Sequence, residues 1–156
     1  SNIDVEVSDA AVHNIEDEDM ADMLIADLPC SGIGIIGRKP DIKYNVSRDK
    51  IDGIIQLQRK ILDSIYSDVK HGGYIVYSTC TLNSQENEEN VRYIKSKGFE
   101  AVDITASLPE KLIDDAKRAG KHYYDKLIKD AADGMLTLIP GVYECDGFFV
   151  AKLKRI

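Results

Sequence analysis

Tryptophan is absent from this chain, and its 156 residues include only four prolines and three cysteines. The cysteines, Cys30, Cys80 and Cys145, are odd in number and widely spaced. They make no disulfide framework, and the expectation is a reducing, cytoplasmic setting. Long apolar runs are missing too: nothing approaches about 18 uncharged apolar residues, so no membrane span is expected. The amino end has no charged-then-apolar signal layout, and Ser1-Asn2 is set aside as a cloning remnant. Basic residues are outnumbered, with 20 Lys+Arg against 27 Asp+Glu and a net charge of −7. That balance argues against wrapping nucleic acid by bulk electrostatics. His13, His71 and His122 are scattered, none at ligand spacing from a cysteine, so no metal is expected.

What is present is 44% apolar, enough for one domain with a sizeable core. Residues 4–8 alternate like a short strand, and an acidic stretch follows. Residues 23–28 form a near-continuous apolar run, the pattern of a buried parallel strand. A Gly/Pro-punctuated loop leads to Ser47, a predicted N-cap. Apolar residues then recur at helical spacing from Ile51 to Val69, up to a stop at Gly72-Gly73. Residues 74–79 read as a second buried strand. Ser84 opens a predicted helix with Glu86 in its first turn and Gly98 beyond its end. A strand over 99–104, a helix-prone region over 109–133 and closing strands over 135–139 and 147–153 complete the reading. Strands alternating with helices predict an α/β sheet, mostly parallel with an antiparallel edge hairpin, and no linker divides residues 1–156.

In such sheets ligands bind beyond the carboxyl ends of the strands. Two strands here end in cysteine, as Asp27-Leu28-Pro29-Cys30-Ser31-Gly32 and as Ser78-Thr79-Cys80-Thr81. Neighbouring parallel strands lie roughly 4.8 Å apart, which predicts both thiols on one rim. Either cysteine alone reads as a small buried hydrophobe; two at matching strand ends point to chemistry. Cys145, in a turn, reads as structural. Gly32, Gly34 and Gly37 match a G-x-G-x-x-G pattern, but Arg38, Lys39 and Pro40 follow at once in place of a helix. Either these glycines shape a close-approach loop over substrate, with Arg38, Lys39 and Lys43 available to phosphate, or the stretch is an ordinary exposed loop.

Residues 27–34, with the following Arg38-Lys39-Pro40-Asp41-Ile42-Lys43, resemble the fourth motif of the Sun (RsmB-type) family of RNA cytosine-5 methyltransferases. Residues 77–81 with Glu86-Asn87-Glu88 resemble its sixth, and residues 146–153 its final strand. Leu28 stands where Ala is commoner. The resemblance implies a Rossmann-like class I methyltransferase fold acting on RNA, with ribosomal RNA the favoured substrate, and S-adenosylmethionine as cofactor. It implies Cys80 as the nucleophile toward carbon 6 of cytosine, Cys30 as the group assisting elimination, and Asp27 at the pyrimidine edge. Cofactor contacts are implied for Asp9, Asp27 and Pro29, and substrate contacts for Ser31, Gly32, Arg38, Lys39 and Lys43.

The family's Gly-rich first motif and acidic second motif have no counterpart here, while Val7-Ser8-Asp9-Ala10 resembles its third. The implied chain is the carboxyl-terminal part of a catalytic domain, lacking its first two strands and inactive or weakly active alone. Its 4–8 strand, without native neighbours, is expected to be displaced, frayed or paired with another copy's edge. A thiol-disulfide redox protein and a non-catalytic binding module are the alternatives, the first disfavoured by the absence of C-x-x-C.

Overall fold

The computed structural model describes residues 2–156. Strand β1 (Ala21–Asp27) is followed by the short helix α1 (Ile42–Asn45), helix α2 (Arg48–Ile65), strand β2 (Val69–Thr79) and helix α3 (Glu88–Ser96). Strand β3 (Phe99–Ala101), helices α4 (Glu110–Ala119) and α5 (Lys121–Ala132), and strands β4 (Met135–Leu138) and β5 (Phe148–Arg155) complete the chain. The sheet order is β1-β2-β5-β3, with β4 also on β5. β1 and β2 are parallel, and β5 runs antiparallel to β2, β3 and β4. The mostly parallel expectation therefore holds for strand direction, since β5 alone is reversed. The closing strand, however, lies inside the sheet rather than at its edge.

β3 and β4 share one side of β5 end to end: Ala101 stands opposite Leu153 and Met135 opposite Ala151. The intervening segment leaves the sheet as α4 and α5, broken at Gly120, and returns at Gly134. Gly134 has φ +74°, and a side chain there would meet the carbonyls of Lys152 and Val102 at 2.9 Å, so only glycine fits. The α4–α5 pair packs through Ala116 and Leu127 against Tyr143.

α2 begins where Ser47 accepts a hydrogen bond from the Lys50 N–H. It stops at Ile65, short of the predicted Gly72-Gly73, because Tyr66–Asp68 tightens into a 3-10 turn and Val69 already belongs to β2. The two glycines instead form a bulge. Pairing jumps from Ala21–Val69 to Met23–Tyr74, and a Cβ on Gly73 would lie 2.9 Å from the Lys70 carbonyl.

The main core joins Ile61 and Leu62 of α2, Val91 and Ile94 of α3, and the inward row Ile75, Tyr77, Phe149, Ala151 and Leu153. Each buried Leu or Ile of this size contributes about 1.5–3 kcal/mol. The predicted burial of 23–28 on both faces is corrected: Met23 and Ile25 are 52% and 73% exposed, because the described helices cover the other face. The strand read from the alternation of residues 4–8 is corrected: these residues form no strand and are exposed.

Candidate active site

Because β1 and β2 are parallel and in register, with Asp27 opposite Ser78, their carboxyl ends emerge side by side. Ser78 Oγ donates to Asp27 Oδ1 at 3.0 Å, and the Leu28 N–H donates to the Ser78 carbonyl at 3.2 Å, extending the ladder one step. Two residues further on, the sulfurs of Cys30 and Cys80 lie 3.2 Å apart. Both cysteines are half-buried, whereas Cys145 is exposed and apart. Burial, reinforced by the contact with Cys80, pushes the Cys30 thiol up to about 12. Cys30 thus keeps its proton at neutral pH, and either sulfur can donate in the 3.2 Å contact.

Beneath the thiols lies a polar hub that the sequence reading misplaced. Glu86 was expected in the first turn of a helix opened by Ser84; α3 starts two residues after Glu86, which is fully buried. Its carboxylate accepts from the Ser31 N–H (2.8 Å), Ser31 Oγ (2.6 Å), Asn83 Nδ2 (3.0 Å) and Gln58 Nε2 (3.4 Å). Gln58 Nε2 also donates to the Pro29 carbonyl at 2.8 Å. Asn90 Nδ2 donates to Gln58 Oε1 and to the Tyr77 hydroxyl, each at 2.8 Å, while Tyr77 donates to the Glu86 carbonyl. Burial raises the Tyr77 phenol, which therefore stays protonated. Thr79 Oγ1 donates to Asn87 Oδ1 (2.6 Å), and Asn87 Nδ2 to the Thr81 carbonyl (2.9 Å), holding the turn that carries Cys80. Bonds in this hub tie the Cys30 turn to Glu86 and to α2, α2 to α3, and α3 to β2. Leaving one such buried group unpaired costs about 1–3 kcal/mol.

The glycines of the decoy motif divide their work. Gly32 adopts φ +70° after Ser31. Gly34 packs backbone on backbone: its N–H donates to the Cys80 carbonyl (3.1 Å) and its carbonyl accepts from Gly147 N–H (2.8 Å). A Cβ there would stand 2.4 Å from the Gly147 carbonyl oxygen. Gly37 has open space around it. No phosphate cradle results, since the next helix, α1, has four residues.

Arg38 Nε is 2.8 Å from Asp146 Oδ2, which pins the loop to the β4–β5 connection. Lys43 lies over the Tyr44 ring at 4.8 Å. A cavity of about 460 Å³ opens between this loop and α2, lined in part by Ser31, Arg38 and Lys39 but not by Lys43. Asp27 and Pro29 are exposed at the end of β1. Asp9 does not join them. Its Oδ1 accepts from the Ala11 N–H at 2.9 Å, and it lines a separate cavity of about 150 Å³ with Glu6, Asp17 and Asp68.

A family model described as 16S rRNA methyltransferase RsmB/F matches residues 1–154. The chain belongs to this family. It is 40% identical over 139 residues to ribosomal RNA small subunit methyltransferase F of Salmonella agona, covering 88% of this chain and 26% of that protein. The Salmonella arizonae protein of the same name is 38% identical with the same coverage. The chain thus spans about a quarter of the length of these relatives. Among solved structures, that of PH0851 has TM-score 0.69 and 29% identity over 88% of this chain and 27% of its own. NSun6 from Pyrococcus horikoshii with SFG has TM-score 0.62 and 25% identity, over 84% of this chain and 29% of its own. The sheet, its reversed β5 and these likenesses give a Rossmann-like methyltransferase fold.

Two signals for the hub were already present in the sequence. Gln58 interrupts the stripe Ile54, Ile55, Ile61, Leu62, and Asn87 and Asn90 interrupt the stripe leading to Val91 and Ile94. A polar residue at a core-facing helical position has to find a buried partner.

Proposed function

We propose that these residues form the thiol-bearing part of an S-adenosylmethionine-dependent RNA cytosine-5 methyltransferase acting on small-subunit ribosomal RNA. The observation that carries the reading is the 3.2 Å pair of sulfurs set just beyond the ends of two neighbouring parallel strands. Carbon 5 of cytosine is too weakly nucleophilic to take a methyl group directly. Addition of the Cys80 sulfur to carbon 6 moves electron density onto carbon 5. The cofactor supplies the electrophilic methyl group. Transfer of the carbon-5 proton to solvent water then expels the Cys80 sulfur as a thiolate and restores the aromatic ring. Cys30, adjacent and protonated, stabilises the departing sulfur and assists that elimination. Asp27, exposed and oriented by Ser78, holds the pyrimidine edge at nitrogen 3. The base reaches this rim by leaving its stack.

The relatives' printed names and the SFG-bound neighbour, whose ligand is an S-adenosylmethionine analogue, support the reaction class and the cofactor. Asp27 and Pro29 form the wall nearest the cofactor, and Asp9, turned on its own backbone, approaches adenine only after that turn opens. The open edge of β1 receives the remaining strands of a longer protein, or another copy's edge, so the chain alone transfers little methyl. The test is to incubate 16S ribosomal RNA and S-adenosylmethionine with this chain and with a longer form that adds a Gly-rich cofactor turn, and to digest and quantify 5-methylcytosine. Product from the longer form that disappears in Cys80→Ala is expected. A methyl group on another atom, or full activity in Cys80→Ala, overturns the reading.

A further inference from the structure

The cavity beside the thiol turn has an unusual charge for this chain. Arg38, Lys39 and Lys50 border it against one acid, Asp41, on a protein of net charge −7. Arg38 is neutralised by Asp146, as Lys70 is by Asp22 and Lys97 by Asp63. Lys39 and Lys50 have no ion-pair partner among the described residues. Between these cations the wall is apolar, formed by Ile42, Ile51 and Ile54. One corner is Ser31, the residue after Cys30, fixed from below by Glu86. The cavity therefore opens one residue from the reacting rim, and its position relative to the thiols is held by buried hydrogen bonds.

We infer that this cavity is the subsite for the nucleotide next to the target cytosine, its base against Ile42, Ile51 and Ile54 and its phosphate between Lys39 and Lys50. The inference rests on the RNA methyltransferase reading. A base leaving its stack exposes its neighbour, which then needs an apolar surface, while the phosphodiester needs unpaired cations. The volume, about 460 Å³, falls in the range of small-ligand sites. Unpaired lysines favour a phosphodiester over the positively charged sulfonium of the cofactor. The site thereby holds the base beside the cytosine, and Ile51 and Ile54 become substrate-positioning residues.

The test titrates the ¹⁵N-labelled chain with single-stranded RNA pentanucleotides carrying a central cytosine, with or without an abasic site on either side. Shifts concentrated at Lys39, Lys50, Ile51 and Ile54 are expected. Lys39→Gln with Lys50→Gln weakens binding about tenfold, as for loss of two charge-assisted phosphate contacts. Ile54→Ser weakens binding several-fold only for the RNA bearing the flanking base, and leaves the abasic RNA unchanged. Each variant is first required to keep the wild-type spectrum outside the cavity. No shifts at these amides at millimolar RNA, wild-type affinity in the lysine variant, or displacement of the RNA by S-adenosylhomocysteine overturns the inference. Covalent trapping at Cys80, measured separately, reports the methyltransferase reading, so the two can fail independently.

Discussion

Glu86 grips Ser31 twice, with one carboxylate oxygen 2.6 Å from its hydroxyl and the other 2.8 Å from its N–H. Through that double bond a residue just ahead of α3 fixes the turn after β1, and with it the sulfur of Cys30. Gln58 and Asn83 complete the carboxylate's shell, so four donors converge on one buried group.

Replacing Glu86 by Gln puts an N–H₂ group among donors and leaves at least one of them unpaired. The expected destabilisation is about 2–3 kcal/mol, read as a lower urea midpoint. Cys30 should also react faster with a thiol reagent under native conditions. Unchanged midpoint and reactivity contradict the positioning role.

Gly34 and Gly37 make a matched pair. Gly34→Ala drives a methyl to 2.4 Å from the Gly147 oxygen and 2.7 Å from the Cys80 oxygen. Backbone atoms yield little, so a loss of about 3 kcal/mol or more is expected. Gly37→Ala meets open space at an ordinary φ and should be neutral or stabilising by up to about 1 kcal/mol. Thermal denaturation of both proteins separates the outcomes, and equal effects contradict the packing account.

The sulfurs of Cys30 and Cys80 need to approach by about 1 Å to bond at the usual disulfide length of about 2.05 Å. Oxidised glutathione should therefore convert the chain to a form lighter by two hydrogens, with Cys30 joined to Cys80 and Cys145 outside the bridge. Peptide mapping that finds Cys145 in the bridge contradicts the geometry.

His13 ties the amino-terminal segment to α2. Its Nδ1 lies 2.9 Å from the Ser64 carbonyl and its Nε2 2.9 Å from Glu18 Oε1. Two acceptors require both ring nitrogens to donate, which only the imidazolium does. The Ser64 carbonyl, and then Glu18, raise its pKa above the ordinary 6.5. For a raised pKa the tie is fully present below about pH 6.5 and is lost as pH rises through the folded value. Protection of the Val12 N–H, bonded to the Asp9 carbonyl, should fall as pH rises above about 6.5, after correction for intrinsic exchange. A His13 titration at or below 6.5 contradicts this.

The thiol rim was legible in the sequence because strand ends are marked by apolar runs that stop at Pro29-Cys30 and Thr79-Cys80. Parallel pairing then does the rest. Gly72 and Gly73 misled because a glycine pair ends helices and forms bulges equally well, and tertiary pairing chose the bulge. Glu86 was misplaced because its partners, Ser31 and Gln58, lie 55 and 28 residues away. Local spacing is blind to such bonds. The reversed β5 entered the sheet interior for the same reason: register between distant strands is set by which faces can be buried together.

The most direct measurement of the central claim identifies the cysteine that bonds to RNA. In 5-azacytidine the ring is electron-poor enough to accept a thiolate without methyl transfer, so the addition step is read alone. The chain, and its Cys30→Ser variant, would be incubated with 5-azacytidine-substituted 16S ribosomal RNA, digested, and mapped by mass spectrometry. The account predicts the nucleotide on Cys80 in both proteins, because 5-azacytosine has no carbon-5 proton and the elimination that Cys30 assists does not enter. An adduct on Cys30, or one that persists when Cys80 is replaced by Ala, would contradict it.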